Sequence, residues 1–361
     1  MVFKVVLLIF AAAAVNASND NLIAVVQVFR HGQRTPNNFF SNDPYADLNE
    51  YWAGLDYGQL TNEGKRQHYA LGQFSRKRYS NWLPATYSSK DIYAQTTDVD
   101  RTHMSAQANL YGLYPATGNQ VWRKNVNWQP IPLHPANTKT FSVYPQGCPN
   151  YNALRQEVDS NEEYTNIDKT YADLYRYISQ NTNTPNVTLD DVFTLWDSLL
   201  IEDQVGYALP SWTSSLYPEP IRTLAAKWFA KHCYNQALQQ ISVGLFYNEI
   251  LGYFDEMIAD PTSTAKYRMY SGHDNNVVAI LTTVGQKPTA PVPFAVSLWF
   301  ELRRTNWDHV VNLWMKSGDQ MTQLSINGCA LDCPLSEVKK LLSDVTVDEE
   351  GYQSLCKSTD V

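Results

Sequence analysis

Several familiar kinds of chemistry are missing from this chain. Its 28 lysines and arginines stand against 36 aspartates and glutamates, a formal net charge of −8. That balance excludes general nucleic-acid binding through a basic face, so any affinity for phosphate must come from a local arginine cluster. There is no Walker-type phosphate loop, no Gly-x-Ser-x-Gly nucleophile elbow and no dinucleotide glycine fingerprint. Of the 7 histidines, His103, His134, His232 and His309 lack the spacing of metal ligands, and no metal is expected. Beyond residue 17 no apolar run is long enough to cross a bilayer, and no internal repeat or low-complexity tract is visible.

Cysteine is scarce too, with 5 in 361 residues. The start of the chain suggests the compartment they meet. Lys4 precedes an apolar run, Val5 to Val15, and Val15-Asn16-Ala17 has the small-residue pattern of a signal-peptidase site. Residues 1–17 therefore read as a signal peptide, with an amino-terminal anchor as the competing reading, and the mature protein is expected to be secreted, lysosomal or luminal. Disulfides suit that setting. Cys329 and Cys333 can close a tight loop, Cys148 and Cys356 sit in polar segments that a bridge could pin, and Cys233 is left over. A zinc site at Cys329 and Cys333 would need a second pair of ligands, and none stands nearby. Asn186-Val187-Thr188 is a glycosylation acceptor, whereas cleavage after Ala17 destroys the Asn16 match.

What is present is a core. Hydrophobic residues make up 44% and aromatics 13% of the chain, enough for one large domain or a core with an insertion. Leu22 to Phe29 reads as a short buried strand of the parallel-sheet kind. It ends abruptly in Arg30-His31-Gly32-Gln33-Arg34-Thr35-Pro36, polar chemistry at a strand's carboxyl end, where α/β folds place ligand sites. Two planar guanidinium forks suit an oxyanion, and His31 between them is a nucleophile or base. A helix is expected from Leu60, with Thr61 as N-cap and His68 in mid-helix, where packing or a hydrogen bond explains it better than catalysis.

The same grammar recurs twice. Asp91 to Gln95 reads as a strand, with Thr97 or Asp98 as cap of the next helix, which puts Arg101 near a helix N-terminus. Ala265 to Tyr270 reads as another strand, ending in Ser271-Gly272-His273-Asp274 before a helix carrying Val277, Ile280, Leu281 and Val284. Taken alone, Arg101 could be a solvated residue, His273 a loop histidine and Asp274 an N-cap. Ala295 to Leu302 and His309 to Lys316 read as paired strands near an edge. Between these core segments, about 145–234 is polar and helix-like, with Phe193, Trp196, Leu199 and Leu200 at core spacing. The fold expected is α/β, a mostly parallel central sheet flanked by helices. An α-helical cap, about 145–234, is inserted into a core of about 18–144 and 235–361.

The string Arg-His-Gly-x-Arg-Thr-Pro resembles the signature of the histidine acid phosphatases, a branch of the histidine phosphatase superfamily. Leu60-Thr61-x-x-Gly64-x-x-Gln67-His68, Thr97-x-x-x-Arg101-Thr102 and the adjacent His273-Asp274 extend the match over nearly all of the mature chain. The resemblance implies a cofactor-free phosphomonoesterase: Arg30, Arg34, Arg101 and His273 bind phosphate, His31 carries a phosphohistidine, and Asp274 protonates the leaving oxygen. It also implies the bridges Cys148–Cys356 and Cys329–Cys333. A third bridge found in several relatives is missing, which leaves Cys233 unpaired. Arginines should lower the pKa of both His31 and Asp274, with burial and substrate charge pushing Asp274 back up, so activity should peak in acid. The expected partner is a small phosphate monoester or a phosphopeptide, with a homodimer open and no nucleic acid. Competing readings are a phytase-like inositol polyphosphate phosphatase, against which the acidic cap segment speaks, and a phosphate-binding protein that has lost turnover.

Overall fold

The computed structural model describes residues 21–142, 144–145 and 147–357. The expected leader and the Asn16 acceptor lie outside the described residues. The strands are β1 (Leu22–Arg30), β2 (Ile92–Thr96), β3 (His134–Pro135), β4 (Tyr267–Gly272), β5 (Ser297–Arg304), β6 (His309–Ser317), β7 (Gln320–Leu324) and β8 (Cys333–Pro334). They form one sheet in the order β3-β2-β4-β1-β5-β6-β7, with β8 against β6. Strands β3, β2, β4 and β1 run parallel, whereas β5, β6 and β7 continue the sheet antiparallel. The strand pair expected near an edge is therefore β5 and β6, but β5 lies directly against central β1.

Strand β1 is buried on both faces, which explains its unbroken apolar run. Its side chains alternate between two cores. Ala24, Val26 and Val28 face one cluster, which includes Phe246 and Ile250 of a helix at Leu245–Ala259. Val25 and Phe29 face the other, with Leu71 from helix α1 (Asn62–Arg78) and Leu110 from helix α2 (Asp100–Leu113). Burying each such side chain contributes about 1.5–3 kcal/mol relative to leaving it in water. Register then aligns the strand ends, pairing Arg30 with Gly272 and Thr96 with Ser271. Three carboxyl ends thus open onto one place.

Between β3 and β4 every regular element among the described residues is helical. Helix α3 (Pro149–Asp159), helix α4 (Leu189–Val205) and helix α5 (Ile221–Lys231) belong to this stretch. Trp196 and Leu199 of α4 are buried, and Phe193 stacks on Trp228 of α5 with ring centroids 3.7 Å apart. Thr188 caps α4 in a reciprocal box with Asp191, and Asn186 is exposed just ahead of it. Helix α6 (Leu245–Ala259) returns the chain to the sheet, and helix α7 (Asp274–Thr283) follows β4. Disulfides join Cys148 to Cys356 across 208 residues and Cys329 to Cys333. Cys233 is buried and unpaired, and burial pushes its thiol pKa up.

Candidate active site

Arg30 is the last residue of β1, and His31 is the first beyond it. The His31 backbone is held on both sides: its N–H donates to Gly272 O at 2.9 Å, and its carbonyl accepts from Ala295 N at 3.1 Å. Gly32 follows because no side chain fits. A Cβ there would lie 2.4 Å from the carbonyl oxygen of Gly64, in the first turn of α1. This backbone-to-backbone contact links the Arg-His-Gly string to the Leu-Thr-x-x-Gly string. His68 of α1, fully buried, sits 3.1 Å from the carbonyl of Arg30 through Nε2 and packs its ring on Phe29. Burial lowers its pKa to about 3, so it is neutral and positions Arg30.

The His31 ring has a defined tautomer. Nδ1 lies 2.8 Å from Gly32 O, and since a carbonyl only accepts, Nδ1 carries the proton. Nε2 keeps its lone pair. Burial first, then Arg101 and Arg30, push the His31 pKa well below its ordinary value, so the ring stays neutral in acid. The His273 ring stands edge-on to it at 5.5 Å between centroids. His273, not Asp274, is the N-cap of α7, and its N–H donates to Asn276 Oδ1 at 2.9 Å. Its Nε2 lies 2.8 Å from Thr97 Oγ1, and burial followed by Arg101 lowers its pKa to about 3.

Three guanidinium groups surround these rings. Arg30 is 1% exposed, donates to Val292 O, lies over Phe294 at 4.1 Å and pairs with Asp274 at 2.8 Å. Arg34 makes a two-pronged pair with Asp197 of α4 at 2.8 and 3.0 Å, with both side chains nearly dry. Arg101 is the second residue of α2, as expected, and among the described residues it makes no ion pair. Burial lowers its pKa to about 10, so it remains a cation. The cap of α2 differs from expectation: Val99 occupies that position with no side-chain bond, because Thr97 is committed to His273 and Thr102 instead. For Asp274, burial pushes the pKa up, but Arg30 and Arg34 outweigh it, and the net value lies below the ordinary carboxylate range.

The structure thus brings Arg30, His31, Arg34, Arg101, His273 and Asp274 into one cluster. Sequence reasoning missed Asp197, Phe294 and Thr97. Asp197 did leave a signal, since it interrupts the apolar helical run Leu195-Trp196-Asp197-Ser198-Leu199-Leu200-Ile201. Two carboxylates against three guanidiniums, with neutral imidazoles between them, leave the cluster net positive and rich in donors. Such a site suits an oxyanion beside a histidine nucleophile. Among the described residues no group of three or more His, Cys, Asp or Glu could hold a metal ion.

The model of the histidine phosphatase superfamily (branch 2) matches residues 21–311, and the chain belongs to this family. Lysosomal acid phosphatase of Homo sapiens is 32% identical over 345 residues, covering 92% of this chain and 79% of the relative. The Xenopus laevis lysosomal acid phosphatase is 30% identical, covering 99% of this chain and 84% of that one. Bovine prostatic acid phosphatase is 29% identical, covering 89% and 84%. Among solved structures, Hafnia alvei phytase in complex with tartrate superposes with a TM-score of 0.68 at 17% identity, over 94% of this chain and 98% of that one. That likeness speaks to the fold.

Proposed function

We propose that this chain is an acid phosphatase that hydrolyses phosphate monoesters through a phosphohistidine on His31, with a small monoester or a phosphopeptide as substrate. One observation carries the reading: a neutral histidine with its Nε2 lone pair free stands inside a ring of three guanidiniums, beside an aspartate at a helix start. Arg30, Arg34 and Arg101 hold the phosphoryl oxygens and neutralise charge as it develops. Asn276 and Thr97 fix the His273 ring, whose edge faces His31 and lines the place where the phosphoryl group would sit.

Nε2 of His31 attacks phosphorus, the bond to the alcohol oxygen breaks, and Asp274 gives that oxygen a proton. Water then attacks phosphorus, Asp274 takes back a proton, and the phosphorus–nitrogen bond breaks to release inorganic phosphate. The Asp274 proton has a simple origin. In the free protein Arg30 holds Asp274 ionised in mild acid, but a phosphate monoester below pH ~6 carries one proton of its own. Moving it to Asp274 leaves a dianion facing three guanidiniums. Activity therefore declines as the monoanion disappears with rising pH.

The inserted helices serve as a cap over this pocket, with α4 contributing Asp197 to it. The lysosomal relatives and the apolar leader together support a secreted or lysosomal destination, and exposed Asn186 is an acceptor for glycan. The test is hydrolysis of 4-nitrophenyl phosphate by purified protein in chelator, from pH 4 to pH 8, beside His31→Ala. Turnover that peaks in acid and vanishes in the variant is expected; phosphate binding without turnover would favour the binding-protein reading.

A further inference from the structure

One cation on the helices between β3 and β4 has no anion to serve. Arg155 lies on α3 and is half-buried, with an Nε that is fully buried and without a hydrogen-bond partner. The carboxylate one turn on, Asp159, is taken by Lys231. Among the described residues Arg155 makes no ion pair, and its contact is with His232, whose Nε2 lies 2.8 Å from Nη1. His232 is neutral, because burial and then Arg155 itself push its pKa well down. Tyr151 closes the group, its hydroxyl 2.6 Å from His232 Nδ1. An arginine held only by an imidazole and a phenol keeps its full charge and most of its donors.

This group lines a cleft of about 820 Å³ together with Tyr144 and Trp228. The floor of that cleft adjoins the start of α7. A narrow cavity beside it shares Tyr151 and His232 and is lined by Asn275 and Asn276, the two residues after Asp274. Tyr144, on the cleft wall, bonds through its hydroxyl to the Asn275 side chain. Asn275 N–H in turn donates to Asp274 Oδ1 at 3.0 Å. Asn275 and Asn276 follow directly on Asp274, so a leaving group on the Asp274 side of the phosphoryl group would have this cleft as its neighbour.

We propose that the cleft between α3 and the start of α7 is a leaving-group subsite for a second phosphate, with Arg155 as its anion ligand. The preferred substrates are then small bisphosphates, hydrolysed at the end held by Arg30, Arg34 and Arg101. This rests on the phosphatase reading above. A charge-assisted contact of this kind raises kcat/KM for such a substrate by about tenfold or more.

The test uses the purified full chain with 4-nitrophenyl phosphate, butyl phosphate and a series of linear alkanediol bisphosphates of increasing length. The wild type should favour one chain length over butyl phosphate by about tenfold or more. Arg155→Ala should erase that optimum while leaving 4-nitrophenyl phosphate turnover within about twofold, and Arg155→Lys should restore part of it. No length preference in the wild type, or an equal loss on all substrates in Arg155→Ala, overturns the subsite. Absence of turnover on 4-nitrophenyl phosphate itself overturns the phosphatase reading, which separates the two failures.

Discussion

Asp197 is the pocket residue least visible from the catalytic motifs, and it gives a quantitative test of how the site is held. It meets Arg34 in a two-pronged ion pair with side-chain exposures of 6% and 3%. Truncating one member of such a pair leaves a buried, uncompensated charge, which costs about 3–5 kcal/mol. For 361 residues the entropy of unfolding near the midpoint is ~0.76 kcal/mol/K, so Asp197→Ala should lower Tm by ~4–7 °C. Asp197→Asn keeps one acceptor and should lose less. Inorganic phosphate can replace the missing carboxylate as the partner of Arg34, so millimolar phosphate should raise the Tm of Asp197→Ala more than that of the wild type. Differential scanning fluorimetry with and without phosphate reads all of this. An unchanged Tm in Asp197→Ala, or a phosphate response no larger than the wild type's, would show that Arg34 is not held as described.

Asp274→Asn cannot protonate an alcohol, so kcat should fall about 10²–10⁴-fold on an alkyl phosphate and less on 4-nitrophenyl phosphate, whose leaving group needs little help; equal losses on both would count against a proton donor. In the wild type, kcat/KM should fall by about tenfold per pH unit above pH ~6, read from initial rates across a buffer series. Replacing Cys148 and Cys356 by serine opens a loop of 208 residues and should cost up to about 5 kcal/mol in the chain-entropy account. The Cys329–Cys333 pair, four residues apart, should cost about 2 kcal/mol or less in denaturant unfolding. Glu202 of α4 is fully buried beside Asp43, and burial followed by that neighbour raises its pKa to about 9. A raised carboxyl pKa gives stability that is complete below the unfolded value and lost as pH climbs toward the folded one. Stability should therefore fall between about pH 4.5 and 9, and Glu202→Gln should flatten that slope in urea midpoints measured across pH.

The clustering of these residues was legible because each part sits at a strand end, where an apolar run stops and polar residues begin. Arg30, Arg101 and His273 come from segments far apart, yet the register of β1, β2 and β4 is set by local pattern, and the ends align once the strands pair. His68 reads as a packing or hydrogen-bonding residue in mid-helix, and it does both. The parts that were not legible depend on docking rather than periodicity. The Arg34–Asp197 contact spans 163 residues and exists only because α4 docks beside the segment that follows β1. The cap of α2 is hidden for a related reason: Thr97 has the chemistry of an N-cap, but its hydroxyl is drawn to His273, a partner 176 residues away. Strand β5 reads as an edge element from sequence because its partner β6 follows it closely, while its other neighbour, β1, lies at the opposite end of the chain.

The central claim is that His31 forms a bond to phosphorus. Wild-type protein mixed with a phosphorus-labelled aryl phosphate and quenched in alkali within milliseconds should carry label on the peptide that contains His31. His31→Ala should carry none and turn nothing over. Turnover by the wild type with no label trapped, together with residual activity in His31→Ala, would mean that water attacks the ester directly and that the nucleophile assignment is wrong.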